Sequence, residues 1–219
     1  MAGVMSILPM VLLVALALGG CNEVRPVAAP ASPEPVAGEA PAPSATAPLA
    51  AMPGAWQVGD RWEWSDGYGL TVTEVTADRT RFERLDAPGQ MQIRESLFPV
   101  ESEDLDGRRV VVFRSADPRE LLPFEVGKTT VFRREYLANG ELRVHNTSWT
   151  VEGRERIAVP AGEFDCWVLV RRTRSLNSDW VGYERWWYAP AARHYVRMEY
   201  RYGAQPPGSR VLMNYHLST

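Results

Sequence analysis

From Trp56 onward, run after run of the chain alternates apolar and polar side chains with a period of two. Phe164, Cys166, Val168 and Val170 share one side of an extended segment, and Asp165, Trp167, Leu169 and Arg171 share the other. His194, Val196, Met198, Tyr200 and Tyr202 stand opposite Tyr195, Arg197, Glu199 and Arg201, and Val211, Met213, Tyr215 and Leu217 repeat the arrangement. Successive side chains of a strand point to opposite faces, so this pattern calls for strands with one covered and one polar face, as antiparallel sheets have. Asn139-Gly140 is the strongest turn signal, because a type I′ turn needs positive φ at both central residues. Asp66-Gly67, Pro88-Gly89, Asp106-Gly107, Asn177-Ser178 and Pro206-Pro207-Gly208 read the same way. One stretch reads as helical, with Asp117 as its N-cap, Pro118 at the first helical position and Pro123 ending it. Nothing alternates strands with helices. The fold class is therefore all-β: an antiparallel open or half β-barrel, or a sandwich, of about ten to twelve strands with one short helix.

A faint internal echo runs through the same region. Trp56-Gln57-Val58-Gly59-Asp60-Arg61-Trp62 resembles Phe124-Glu125-Val126-Gly127-Lys128-Thr129-Thr130, so each of two β-meanders is expected to open on an aromatic residue and a Val-Gly turn.

The segment before Trp56 has a different character. Residues 4–18 are mostly apolar and too short for a membrane span, which takes roughly 20 residues, but they suit the core of a signal peptide. The run closes on Leu18-Gly19-Gly20-Cys21, which resembles the lipobox of bacterial lipoproteins: an aliphatic residue, two small residues that let a peptidase approach, and the cysteine whose thiol takes the lipid. The resemblance implies a removed signal over residues 1–20 and acyl chains such as palmitate on Cys21, enough for stable anchoring. The competing reading is a plain secretory signal with an incidental cysteine. Asn22 comes next, not the Asp that favours retention in the inner membrane, so the expected address is the outer membrane, facing the periplasm. Residues 22–54 are rich in Ala and Pro and hold no aromatic side chain, a composition that cannot bury enough apolar surface to offset chain entropy. The expected organisation is thus a signal at 1–20, a lipidated cysteine and disordered linker at 21–54, and a β domain at 55–219.

Charge excludes one class of partner. Residues 55–219 carry 23 basic and 24 acidic side chains, which gives no electrostatic footprint for nucleic acid. With Cys21 taken by lipid, Cys166 is left alone and no intrachain disulfide is expected.

Motifs for chemistry are weak. Gly127-Lys128-Thr129 resembles the end of a phosphate-binding loop, but Leu122 stands where that motif has its first glycine, and the residues after Thr129 are strand-like. His145, His194 and His216 lie far apart, without a second ligand at metal spacing, so no metal or other cofactor is expected. No Gly-x-Ser-x-Gly elbow occurs, Glu101, Glu103 and Asp104 read as solvated, and Cys166 shares an apolar face that would raise its pKa. The chain reads as a non-enzyme.

What remains is eight tryptophans. Adjacent Trp186 and Trp187 must point to opposite faces of a strand. Trp62, Trp64, Trp167 and Trp187 are the candidates for a concave aromatic surface that takes an apolar ligand such as an acyl chain, against the alternative that all four fill a core. Arg171, Arg197 and Arg201, placed on the polar faces, could meet lipid phosphates, with Glu184 and Glu199 as cross-strand partners.

Val159-Pro160-Ala161-Gly162-Glu163-Phe164, with Trp187-Tyr188-Ala189-Pro190 later in the chain, resembles the V-P-A-G-x-F … W-[YF]-x-P signature of a family of bacterial envelope β-domains of unknown function. That resemblance implies a fold similar to the open β-barrels of the lipoprotein carrier and receptor proteins of the Lol pathway, and an envelope address. It supplies no catalytic residues. The function expected is a membrane-anchored lipoprotein that binds a hydrophobic or amphipathic ligand without chemistry. The alternative is a protein-binding accessory of an envelope complex that uses a sheet edge or the linker.

Overall fold

The computed structural model describes residues 55–219; the expected signal segment, Cys21 and the Ala/Pro-rich linker lie outside them. The described chain runs through β1 (Arg61–Trp64), β2 (Gly69–Val75), β3 (Thr80–Arg84), β4 (Met91–Glu95), β5 (Phe98–Asp104) and β6 (Gly107–Arg114). A second set comes after them: β7 (Thr129–Ala138), β8 (Glu141–Val159), β9 (Gly162–Ser175), β10 (Val181–Ala189), β11 (His194–Tyr202) and β12 (Gly208–His216). Each strand pairs antiparallel with its neighbours in sequence, and β1 pairs with β12, Trp62 opposite Tyr215. The wall is a closed barrel, which corrects the expectation of an open or half barrel. Alternation fixes which face a side chain takes; it does not say whether accumulated twist and stagger bring the last strand back to the first.

Local signals behave as their chemistry requires. Asn139 and Gly140 take φ of 52° and 83° in the β7–β8 turn. Asp117 caps a 3₁₀ turn at Pro118–Leu121 by accepting from the Arg119 N–H, and a second 3₁₀ turn, Pro190–Ala192, joins β10 to β11. The echo is structural too. Gly59 and Gly127 both have positive φ; the Gly59 N–H donates to the Val72 carbonyl and the Gly127 N–H to that of Val151. The return bonds also match, Val72 N–H to the Asp60 carbonyl and Val151 N–H to that of Lys128. β1–β6 and β7–β12 thus start on the same hydrogen-bonded turn. Lys128, the residue of the phosphate-loop look-alike, sits in this turn with its ammonium on the Leu122 and Pro123 carbonyls, and it leads into a strand.

The barrel is filled at one end and polar at the other. At the end where the described chain begins, Trp56, Trp62, Trp64, Phe82, Leu97, Leu121 and Phe124 belong to one buried cluster. The indole N–H groups there need acceptors, and the β10–β11 corner supplies them: Trp56 donates to the Arg193 carbonyl at 2.7 Å, Trp62 to that of Ala192 at 2.7 Å, and Trp64 to that of Tyr195 at 3.4 Å. Fully buried Asp60 ties the same end together, accepting from the Gln57 N–H, the Ser218 N–H and the Arg193 guanidinium. The long β8–β9 hairpin reaches across to β12, where the Ala161 N–H meets the Leu212 carbonyl at 3.2 Å and Phe164 meets the Tyr215 ring.

Candidate functional site

The upper half of the lumen is built from polar alternates. Arg134, Tyr136, His145, Thr147, Arg171, Thr173, Ser175, Glu184 and Tyr202 come from strands whose other face meets solvent or a second apolar layer. Arg171, expected on an exposed face, is inside: its guanidinium donates to Glu184 Oε1 at 2.8 Å, with side chains 17% and 6% exposed. A lumen this wide takes polar side chains inward wherever they can be paired, and Glu184 is a fully used acceptor. It also takes the Tyr202 hydroxyl at 2.7 Å and the Trp186 indole N–H at 3.0 Å. Burial and the Glu184 charge hold the Tyr202 phenol far above its ordinary range. Arg197, by contrast, is an outer residue paired with Glu199 at 2.5 Å, while Arg201 is exposed.

Above this hub lies a cavity of about 390 Å³, within the usual size of small-ligand sites. It opens among the β5–β6, β7–β8 and β9–β10 turns, and Arg109, Tyr136, Arg143, His145, Ser175 and Trp180 contribute to its walls. Its aromatic side is a column. The His145 ring stacks on Trp180 (5.0 Å between centroids, 14° between planes), Trp180 on Tyr202 (6.4 Å, 10°) and Tyr202 on Tyr200 (5.4 Å, 25°). Tyr136 closes the other side of His145 edge-on at 5.1 Å. Gly182 and Gly203 make room for the indole, since a Cβ on either would come within 2.7 Å and 3.0 Å of Trp180.

Three arginines surround the imidazole. Burial first, then Arg134, Arg171 and Arg143, lower the His145 pKa to about 4, so the ring is neutral near pH 7. Arg109 is held by Asp104 at 2.7 Å and Asp106 at 3.0 Å, and Arg143 by Glu141 at 2.5 Å. Among the described residues no group of three or more His, Cys, Asp or Glu side chains is placed to hold a metal ion. Arg94 and His194 form a second buried pair, 3.0 Å apart, but they lie inside the tryptophan cluster, away from the mouth.

The four tryptophans singled out from the sequence are all buried and none lines the cavity. Trp62 and Trp64 come together in the filled end, around His194. Trp167 packs on Phe124 under the Arg154 guanidinium. Trp187 faces away from Trp186, as alternation requires, and lies between Arg185 and Arg197 with its N–H on Glu155. Trp180 and His145 carry no motif that sets them apart in the chain. The signal for Trp180 was present in Gly182 and Gly203, but its meaning depends on β10 and β11 being adjacent.

The class defined by these features is a closed twelve-stranded antiparallel barrel with a filled base and a polar, aromatic mouth. No family model matches the chain, and no curated protein sequence matches it. Among solved structures it is similar to the hypothetical lipoprotein YmcC of Escherichia coli K12, with 12% identity, 74% of this chain and 86% of that one covered, and a TM-score of 0.48. It is also similar to a candidate lipoprotein of Parabacteroides distasonis (15% identity, 73% and 96% covered, TM-score 0.37). A candidate exported protein of YmcC-like fold from Bacteroides fragilis is a third (14%, 74% and 97%, 0.39). Likeness at this level carries no function across.

Proposed function

We propose that this chain is a lipoprotein of the bacterial cell envelope, anchored through acyl chains on Cys21, whose barrel binds a small amphipathic ligand at its mouth. The observation that carries the binding reading is the cavity of about 390 Å³ walled by the His145–Trp180 stack. The recess is open and its lining combines the Tyr136 and Trp180 rings with charged and polar side chains, which suits a ligand that has both an apolar and a polar part. The carboxylates nearest to it are engaged by arginines, which suits recognition better than proton transfer. The anchoring half rests on Leu18-Gly19-Gly20-Cys21. Native mass spectrometry of protein extracted from envelopes tests the first half: a retained small molecule, lost in Trp180→Ala, is expected, and a clean apo mass counts against it. Fractionation of Cys21→Ser tests the second, since the variant should leave the membrane fraction.

A protein partner is the second reading, favoured by an apolar strip on the outer wall. Phe113, Leu137 and Leu142 are 50%, 39% and 49% exposed, with Leu137 opposite Leu142 across β7 and β8. Such a partner cannot add a strand, because closure removes the sheet edges that pairing would need. A crosslinker placed at Leu142 that captures one defined envelope protein would support this reading.

A further inference from the structure

We propose that the mouth of the barrel recognises an anionic head group, a carboxylate or phosphate monoester, through Arg134 and His145 beneath the Trp180 indole; this rests on the binding reading. His145 lines the cavity, and Arg134 stands directly opposite it across β7 and β8. His145 is 5% exposed, yet its Nδ1 has no hydrogen-bond partner. Arg134 Nε is likewise buried without a partner, and the guanidinium lies over the Tyr136 ring at 4.8 Å. Buried polar atoms are nearly always satisfied, and each exception calls for a reason. Here two exceptions stand on neighbouring strands, His145 in the wall of the cavity and Arg134 behind it, in a smaller recess shared with Thr147 and Arg171.

Charge points the same way. Arg109, Arg143 and Arg171 each have a carboxylate in an ion pair, whereas Arg134 makes no ion pair or side-chain hydrogen bond among the described residues and feels Glu184 only at longer range. The carboxylates at the rim, Asp106 and Glu141, have side chains 82% and 71% exposed, where water and salt screen them. The unpaired charge next to the cavity, on Arg134 behind His145, is therefore positive. A neutral imidazole donates one N–H beside a guanidinium, a pairing suited to an oxyanion and poorly suited to a cation. The aromatic column above offers stacking area for whatever apolar group carries the anion.

Titration calorimetry on the full chain tests this with octyl phosphate, octanoate, octanol and octyltrimethylammonium, and with inorganic phosphate alone. The two octyl anions are expected to bind at least about tenfold more tightly than octanol or the cation. Arg134→Gln should remove about tenfold of that anion affinity while octanol binding is unchanged, and Arg134→Lys should recover part of it. The wild-type selectivity series needs no substitution and so stands even if a variant fails to fold. Octanol binding as tightly as octyl phosphate overturns the anionic assignment and leaves the amphipathic site intact. Inorganic phosphate binding as tightly as octyl phosphate supports the anion site and overturns the amphipathic reading. Failure of all five probes overturns both.

Discussion

The imidazole of His145 lies almost parallel to the indole of Trp180, 5.0 Å away, and three arginines act on it. Burial and those charges bring its pKa from 6.5 to about 4, and His194, buried beside Arg94, is also held well below 6.5. Between those values the unfolded chain binds protons that the folded chain refuses, so stability rises with pH. The contribution is fully present above about 6.5 and lost as pH falls toward about 4. Urea midpoints should drop between about pH 7.5 and about pH 5, and His145→Gln should flatten part of that slope, His194 keeping the rest. An unchanged slope in the variant would mean that the His145 ring takes up protons in the folded state as readily as in the unfolded chain.

Glu184 is the acceptor on which Arg171, Trp186 and Tyr202 converge. Glu184→Gln leaves a buried guanidinium without its counter-charge and should cost about 3–5 kcal/mol in equilibrium unfolding. The double variant Glu184→Gln/Arg171→Met removes both charges and should recover most of that loss. If the single change costs less than about 1 kcal/mol, the pair is solvated and water reaches this part of the lumen.

Gly182 holds the Trp180 indole flat. A methyl there falls 2.7 Å from Trp180 Cη2, so the ring must shift. Gly182→Ala should destabilise by about 1–3 kcal/mol and alter the near-ultraviolet dichroism of the aromatic column. Binding of octyl phosphate should fall with it; a variant with wild-type dichroism and affinity would show that the stack contributes nothing to the site.

Cys166 is 1% exposed, and burial, with smaller contributions from the charges of Asp165 and Glu155, pushes its thiol up to about 12. At pH 8 only about one molecule in ten thousand then carries a thiolate. In a Cys21→Ser background, where Cys166 is the sole thiol, maleimide should label the folded protein only at its unfolding rate. Prompt labelling without denaturant would show that β9 opens locally.

Much of the wall was legible in the chain. Alternation in β9 and β11, the Asn139-Gly140 turn, the Asp117-Pro118 cap and the paired Val-Gly turns at Gly59 and Gly127 are short-range signals, each set by the backbone needs of a few residues. Closure was not, because Trp62 meets Tyr215 only after twelve strands have added their twist. The site was less legible still. Polar alternation at Arg134, His145 and Arg171 reads as a wet outer face; only in a barrel wide enough to hold them does the same pattern point inward. Tryptophan abundance alone does not separate Trp62 and Trp64, whose size suits the filled base, from Trp180 at the mouth.

Asp60 gathers the first turn of the barrel, the corner at Arg193 and the backbone at Ser218 around one carboxylate. Entry, exit and seam are thereby knotted at the base, and the six hairpin tips opposite carry no share of that clasp. Those tips are free to lengthen, shorten or trade residues while the staves stay bound, so one cask could be fitted with many different lids.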